Sequence, residues 1–444
     1  MTVWFVFINK FMRAAERHLE TYALDVLGCK VNRYDSRQIA RLLEGFGLRA
    51  TVRGETADII IVHTCGVTAT AVQKCRQTVS RLIRKHAGAA LFLTGCAATE
   101  ELIDSPEKID SRIAAGPGWI QLLADELQKF SLPNSDFHLP ENSDELPAET
   151  YGEQTRAFLK IQDGCDANCA YCIVPQLRKT PRDKTPAAII DEAEALVKRG
   201  CREIVVAGVH VGLYGRTAGV PLAGILKQLA AVPELRRIRM SSLHPAELTD
   251  DLLNVWSASS NIMPHLHLSL QSGAAGVLRR MGRGYTPGEY AAAVNRARAA
   301  LDNPSITTDI IVGFPGETDE EFEETFRFCE QIGFAGIHIF VFSPRPGTRA
   351  ALMPEKVAPP VAHERQRRLA GLAAKMTETY NQTFIGKTVD VLVERAAGGN
   401  CTGGTPHHIT VQFAGSKNLH RTIVPVTILS ATAQGLTGTR KDKM

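Results

Sequence analysis

The sequence predicts an α/β protein of three modules: a small N-terminal parallel α/β domain over residues 20–130, a central partial (β/α)6 barrel over 155–380, and a small C-terminal β-barrel over 384–432. Three observations predict it. Short apolar runs alternate with helix-spaced stretches over residues 22–130, and the same alternation returns about six times over 156–343. After residue 384 the helical period gives way to short alternating strands. A length of 444 residues allows two to four domains of about 100–200 residues each. The 44% hydrophobic and 22% charged content excludes a collagenous, coiled-coil or largely disordered chain. No apolar run reaches about 18 residues, so no membrane is expected as a partner. Ten cysteines are too sparse for a secreted disulfide scaffold and point to metal or catalysis in a cytoplasmic protein. A net charge of +4 neither requires nor excludes a nucleic-acid partner.

Met1 to Ile8 is apolar and is followed by Lys10, Arg13 and Arg17, the reverse of a signal peptide's order. Translation from Met12, or a frayed extension, is the expected reading of these residues. The first domain then carries strands at Ala23–Leu27, Ile59–His63 and Ala90–Thr94, with helices at Asp35–Gly45, Ala71–His86 and Trp119–Phe130. Each strand is followed within two residues by a cysteine: Cys29, Cys65 and Cys96. Ligands gather outside the carboxyl ends of strands in such sheets. Residues 131–154 hold Pro133, Pro140, Pro147 and six acidic side chains without periodicity, which reads as a linker.

In the barrel, strands are expected at Ala157–Ile161, Glu203–Ala207, Arg237–Ser241, His265–Leu270, Thr307–Val312 and Gly336–Phe342. Helices are expected at Ala187–Lys198, Leu222–Ala231, Leu248–Trp256, Ala274–Met281, Pro287–Ala300 and Asp319–Ile332. Right-handed crossovers curl such units toward a barrel, and six units fall short of the usual eight. An open barrel with its site at the carboxyl-terminal mouth follows. Residues 362–380 read as one further amphipathic helix. The last module has strands at Val389–Val393, His408–Phe413 and Thr422–Ile428, separated by Gly398-Gly399 and Gly403-Gly404. Residues 386–444 carry seven Lys or Arg against three Asp or Glu, and the chain ends in a short charged tail from Arg440.

The strongest chemical signal is Cys165, Cys169 and Cys172, a C-x3-C-x2-C set directly after the first barrel strand. Soft thiolates suit iron–sulfur clusters or zinc. Structural zinc takes four ligands. Three thiols therefore leave a four-iron cube with one open iron, a zinc site borrowing a distant ligand, or unliganded thiols.

The placing of Cys165–Cys172 resembles the radical S-adenosylmethionine (SAM) enzymes. That resemblance implies a 4Fe-4S cluster whose open iron binds SAM and cleaves it to a 5′-deoxyadenosyl radical. The words around the earlier cysteines resemble the methylthiotransferase family within that group: Leu27-Gly28-Cys29-Lys30-Val31-Asn32, Thr64-Cys65-Gly66-Val67-Thr68 and Thr94-Gly95-Cys96-Ala97. Membership implies that Cys29, Cys65 and Cys96 hold a second 4Fe-4S cluster that supplies or relays the inserted sulfur. The C-terminal module resembles the RNA-binding TRAM domain. The resemblance also implies two SAM molecules per reaction, a tRNA anticodon loop as partner, and an electron donor of flavodoxin or ferredoxin type.

Three substrate branches exist in the family: isopentenyl-adenosine in tRNA, threonylcarbamoyl-adenosine in tRNA, and an aspartate of a ribosomal protein. Gly28-Cys29-Lys30-Val31-Asn32, Ile161-Gln162-Asp163-Gly164-Cys165-Asp166, His210-Val211-Gly212-Leu213-Tyr214-Gly215, the run Thr308–Thr318 and Ser343-Pro344-Arg345-Pro346-Gly347-Thr348 are most similar to the threonylcarbamoyl branch. One departure stands beside the site: after Pro175 the chain reads Gln176-Leu177-Arg178-Lys179, keeping the family's arginine without its aromatic and glycine. Tyr171, Gly208, Ser241, Gln271 and Asp309 are the expected SAM contacts, by their places at strand ends. The other class of reading is a non-enzymatic iron–sulfur RNA-binding or electron-transfer protein, which would cap every iron with cysteine.

Overall fold

The structure is a computed structural model that describes residues 18–104, 109–116, 118–139 and 154–441. The expected alternative start at Met12 lies outside the described residues. The chain forms two compact units. The first holds the described residues up to 139 together with 164–166 and 173–180, and the second holds 154–163, 167–172 and 181–441.

The first unit is a five-stranded parallel sheet in the order β2-β1-β3-β4-β5. Its strands are β1 (Thr21–Val26), β2 (Arg49–Ala50), β3 (Ile59–Thr64), β4 (Ala90–Gly95) and β5 (Ser111–Ala114). Its helices are α1 (Lys30–Gly45), α2 (Ala69–Lys85) and α3 (Trp119–Leu127). Every residue of β3 is buried, because helices cover both faces. Ile39, Leu42, Leu43 and Phe46 pack with Ile59, Ile61 and Phe92 on one side, and Val79 and Leu82 with Ile60, Val62 and Leu93 on the other. Thr68 accepts from Ala71 N–H and starts α2, a cap worth about 1 kcal/mol. Of the stretch read as a linker, Phe137 lies edge-on to Phe46 at 5.1 Å, and residues 140–153 lie outside the described residues.

The second unit begins with β6 (Ala157–Asp163), β8 (Glu203–Gly208) and β9 (Arg237–Met240) in parallel, with the two-residue β7 (Arg182–Asp183) antiparallel to β6. The parallel set β10 (His265–His267), β11 (Ser305–Val312) and β12 (Gly336–Val341) continues it. Single bridges Ile238–Ile262 and Leu243–Leu268 join the two sets. Six parallel strands thus curl in chain order, and among the described residues β12 and β6 do not pair. This is the expected partial (β/α)6 barrel. The helix from Pro359 to Gln382 continues the unit, and its buried Arg365 ties it to Glu317 at 2.7 Å. No described helix is long and apolar enough to cross a membrane.

The closing barrel orders its strands β13-β14-β15-β17-β16: β13 (Thr388–Ala397), β14 (Asn400–Gly404), β15 (Thr410–Ala414), β16 (Ile423–Thr432) and β17 (Gly435–Arg440). Two expectations are corrected. Gly403-Gly404 is not a separator but part of β14, where a Cβ on Gly403 would stand 2.2 Å from Leu392 O. Glycine serves the close approach of two barrel strands there. Arg440 belongs to a strand rather than to a tail. At the start of β9, Arg237 donates to Gly404 O at 2.9 Å and Asp390 O at 2.8 Å, and Arg239 donates to Pro406 O at 2.9 Å and Thr405 O at 2.5 Å. These bonds fix the C-terminal barrel to the amino-terminal end of the larger one.

Candidate functional site

In the first unit the sheet brings three cysteines to one edge. Cys29 precedes α1, Cys65 follows β3 and Cys96 follows β4. Cys29 is exposed, Cys65 buried and Cys96 half-buried. Gly28 adopts φ +116°, and a Cβ there would meet Cys65 Cβ at 2.9 Å, so only glycine lets β1 deliver Cys29 beside Cys65. Asn32 pins this turn by donating to Leu27 O at 2.7 Å and Thr64 O at 2.9 Å. Cys96 N–H donates to Thr64 O at 3.1 Å. Burial pushes the Cys65 thiol up to about 11, and the neighbouring Cys29, Cys96 and Cys75 add to the push. Burial also raises Cys96, against the pull of Arg178. Cys75, read as structural, is buried and accepts Cys65 N–H at 3.3 Å.

Cys165, Cys169 and Cys172 follow β6 on one loop. Cys165 N–H donates to Arg178 O at 2.9 Å. In the second unit Cys172 N–H donates to Cys169 O at 3.2 Å, and Ala170 is clamped between Met281 O and Ala350 N–H at 2.8 Å each. Arg283, which sequence reasoning missed, donates to Cys169 Sγ at 3.3 Å. Its guanidinium is held above its ordinary range: burial works against it and is outweighed by Tyr171, Tyr285 and Cys169.

Among the described residues no three His, Cys, Asp or Glu side chains are drawn together to hold a single metal ion. A four-iron cube binds each thiolate through a different iron and so spreads its ligands wider. Two sets of three soft thiols, with Cys75 beside the first one committed to the Cys65 backbone, suit such cubes rather than structural zinc.

The expected SAM contacts are distributed around the mouth of the large barrel. Tyr171 is half-buried against Arg283, and burial raises its hydroxyl pKa. Gly208 ends β8 against Gln162, whose Oε1 accepts His210 N–H at 2.8 Å. Ser241 follows β9 with its Oγ buried and unpartnered among the described residues. Gln271 has φ +73°, a conformation rare for non-glycine residues, and its N–H donates to Asp309 O at 2.8 Å. Asp309 itself pairs with His267 Nε2 at 3.1 Å. His265 and His267 both reach Thr307 Oγ1 at 3.0 Å, so they share the inner face of the strand.

A polar string lies at the ends of β8 and β9; the sequence marks His210 only as part of a family motif, and Glu247, His244 and Tyr285 escaped sequence reasoning. His210 Nε2 lies 2.5 Å from Glu247 Oε1, and the His244 ring is 5.8 Å from His210 and 4.8 Å from Tyr285. Burial, with Arg283, pulls His244 down to about 4, so it is neutral at pH 7. Burial pushes Glu247 up, but His210 and the His244 N–H outweigh it and hold Glu247 below the usual carboxylate range.

Comparison with known proteins matches residues 159–329 to the radical SAM superfamily and residues 21–114 to an uncharacterized protein family, UPF0004. The chain is 34% identical over 427 residues to the threonylcarbamoyladenosine tRNA methylthiotransferase MtaB of Bacillus subtilis, covering 93% of this chain and 94% of that one. It is also 34% identical over 433 residues to the tRNA-2-methylthio-N(6)-dimethylallyladenosine synthase of Novosphingobium aromaticivorans, covering 94% and 97%. Among solved structures, the radical SAM methyltransferase TsrM of Kitasatospora setae aligns with a TM-score of 0.54 at 14% identity, covering 75% of this chain and 77% of that one. That likeness concerns the fold.

Proposed function

Since the chain belongs to the radical SAM tRNA methylthiotransferases, whose membership implies SAM and a 4Fe-4S cluster, we propose that it replaces the C2 hydrogen of N6-threonylcarbamoyladenosine, next to the tRNA anticodon, with a methylthio group. Overall identity does not choose between the two tRNA substrates, being 34% to a relative of each name. The observation that carries the choice is the polar string His210–Glu247–His244–Tyr285 at the barrel mouth. A threonylcarbamoyl group brings a hydroxyl and a carboxylate that need polar neighbours, which this string supplies, whereas an isopentenyl group is better served by an apolar wall.

Cys165, Cys169 and Cys172 are the proposed holders of the first cluster, and Cys29, Cys65 and Cys96 of a second that carries the inserted sulfur. Bound there, a cube with one open iron supplies the one-electron reductive cleavage of SAM. Arg283 orients Cys169 and places a positive charge beside the loop. Ser241 offers an uncommitted buried hydroxyl to the nucleoside end of SAM. The domain roles follow: residues 20–130 sulfur supply, 155–380 the radical step, and 384–432 a grip on tRNA, in a cytoplasmic enzyme served by a small flavodoxin- or ferredoxin-type donor.

Two measurements test this. Anaerobic reconstitution is expected to load about eight iron atoms per chain, and the triple change Cys165→Ala, Cys169→Ala, Cys172→Ala to abolish SAM cleavage. In tRNA from a deletion strain, methylthio-threonylcarbamoyladenosine disappears. If it persists while methylthio-isopentenyladenosine vanishes, the substrate reverts to the second reading.

A further inference from the structure

Arg178 lies in the stretch where the chain departs from its family's pattern, and it is fixed at several points within the first unit. Its Nη2 donates to Asp35 Oδ2 at 2.8 Å, its carbonyl accepts Cys165 N–H at 2.9 Å, and its own N–H donates to Val174 O at 2.8 Å. Asp35 is a fully buried carboxylate on α1. The same oxygen stands 3.6 Å from Nε2 of the equally buried His63, whose Nδ1 is 2.5 Å from Thr94 Oγ1. The acid is therefore tied to β3 and β4, the strands that deliver Cys65 and Cys96. The segment carrying Arg178 lies against this turn: a Cβ on Gly66 would meet Cys96 O at 2.8 Å and Leu177 Cδ1 at 3.3 Å. The guanidinium also hydrogen-bonds Cys96.

A buried ion pair contributes little net stability, since desolvation consumes most of its attraction. A fork of five N–H donors can, however, hold a carboxylate with one nitrogen and a sulfur with another, which an ammonium on a flexible stem does poorly. We propose that Arg178 is a positioning residue for the Cys29, Cys65 and Cys96 set: Asp35 holds its guanidinium so that one fixed positive charge stands against Cys96 and raises the reduction potential of a cluster on those thiols. This rests on the reading of that set as the holder of a second cluster. Three thiolates on an oxidised cube leave one net negative charge, and reduction adds another, so a fixed cation favours the reduced form.

The test uses the full chain with Cys165, Cys169 and Cys172 changed to Ala, so that the second cluster is seen alone. After anaerobic reconstitution it should retain about four irons; failure to do so overturns the second cluster and this proposal with it. Midpoint potentials are then read by electron paramagnetic resonance. Arg178→Met shifts the reduction equilibrium about tenfold toward the oxidised form, about 59 mV for one electron, and Arg178→Lys shifts it less. Asp35→Asn keeps an oxygen for the guanidinium but removes the opposing charge, and so moves the potential upward. If Arg178→Met does not retain iron, Arg178→Gln is measured in its place on the same criterion. Full iron content with an unmoved potential, or downward shifts in both the Arg178 and Asp35 variants, overturns the role of Arg178 and leaves the second cluster standing.

Discussion

Glu203 is the counter-charge of the joint between the two barrels. It is 1% exposed on β8, with Arg239 Nε at 2.9 Å, Arg237 Nη1 at 3.4 Å and Arg156 Nε at 3.7 Å. The remaining donors of Arg237 and Arg239 go to carbonyls of the C-terminal barrel. Glu203→Gln keeps the volume and an acceptor oxygen but leaves two buried guanidinium groups without an anion. Removing one partner of a buried pair costs about 3–5 kcal/mol, and retained hydrogen bonding places this variant near the lower end. At about 2–4 °C per kcal/mol, the transition of the second unit should fall by about 6–12 °C in differential scanning calorimetry at pH 7. The sign of the pH dependence follows from Glu203 itself. Burial would raise its carboxyl, but the three arginines outweigh burial and hold it below its ordinary value. Its contribution is therefore complete above the unfolded value of about 4.3 and is lost as pH falls through the lower folded value. The gap between parent and variant should close in strongly acidic buffer. A Glu203→Gln transition within about 1 °C of the parent, or a gap that stays constant down to about pH 3, would refute the assignment of Glu203 as the electrostatic centre of the joint.

Three further outcomes follow from the same reasoning. Ser241→Ala removes a buried hydroxyl with no partner among the described residues, so thermal stability should hold or rise by up to about 1 kcal/mol, while SAM affinity, read by calorimetric titration, should weaken about three- to tenfold. Gly28→Ala drives a Cβ to 2.9 Å from Cys65 Cβ at φ +116°; iron content after reconstitution should fall from about eight toward four with SAM cleavage retained, and undiminished iron would count against the placing of Cys29. Burial and the nearby Arg239 pull His407 down to about 4. The unfolded chain therefore binds more protons between about pH 6.5 and 4, and stability falls as pH drops through that window. His407→Leu should remove about 1–3 kcal/mol of that slope in urea denaturation across the range.

The parts of this protein legible in its sequence are those where one force dominates. Ile59–Thr64 and Ala90–Gly95 announce themselves because a parallel sheet covered on both faces needs unbroken apolar strands. The helices Pro287–Ala300 and Asp319–Ile332 begin where expected because Thr286 and Thr318 form capping boxes with Glu289 and Glu321. The C-x3-C-x2-C loop is legible because soft thiols at one spacing have few other uses. Illegible were the short edge strands Arg49–Ala50 and Arg182–Asp183, which bury too little to leave a pattern, and β14, whose glycines are spent on contact between strands rather than on turns. The same asymmetry governs the site. A cysteine's role can be read from its neighbours in the chain, but the charge that tunes it comes from partners distant in sequence. Asp35 sits on a helix face that reads as apolar core, His63 interrupts an isoleucine-rich strand, and Arg178 stands 143 residues from the carboxylate it binds. A lone polar residue on an otherwise buried face was the one available sign. Folding such a group without a partner would cost more than most single mutations do, so His63 needs a buried partner, and only the fold shows that Thr94 and Asp35 stand beside it. The chemistry of the ligands is local and the electrostatics that set their potential is topological, which is why the first can be read from words in the sequence and the second only from the fold.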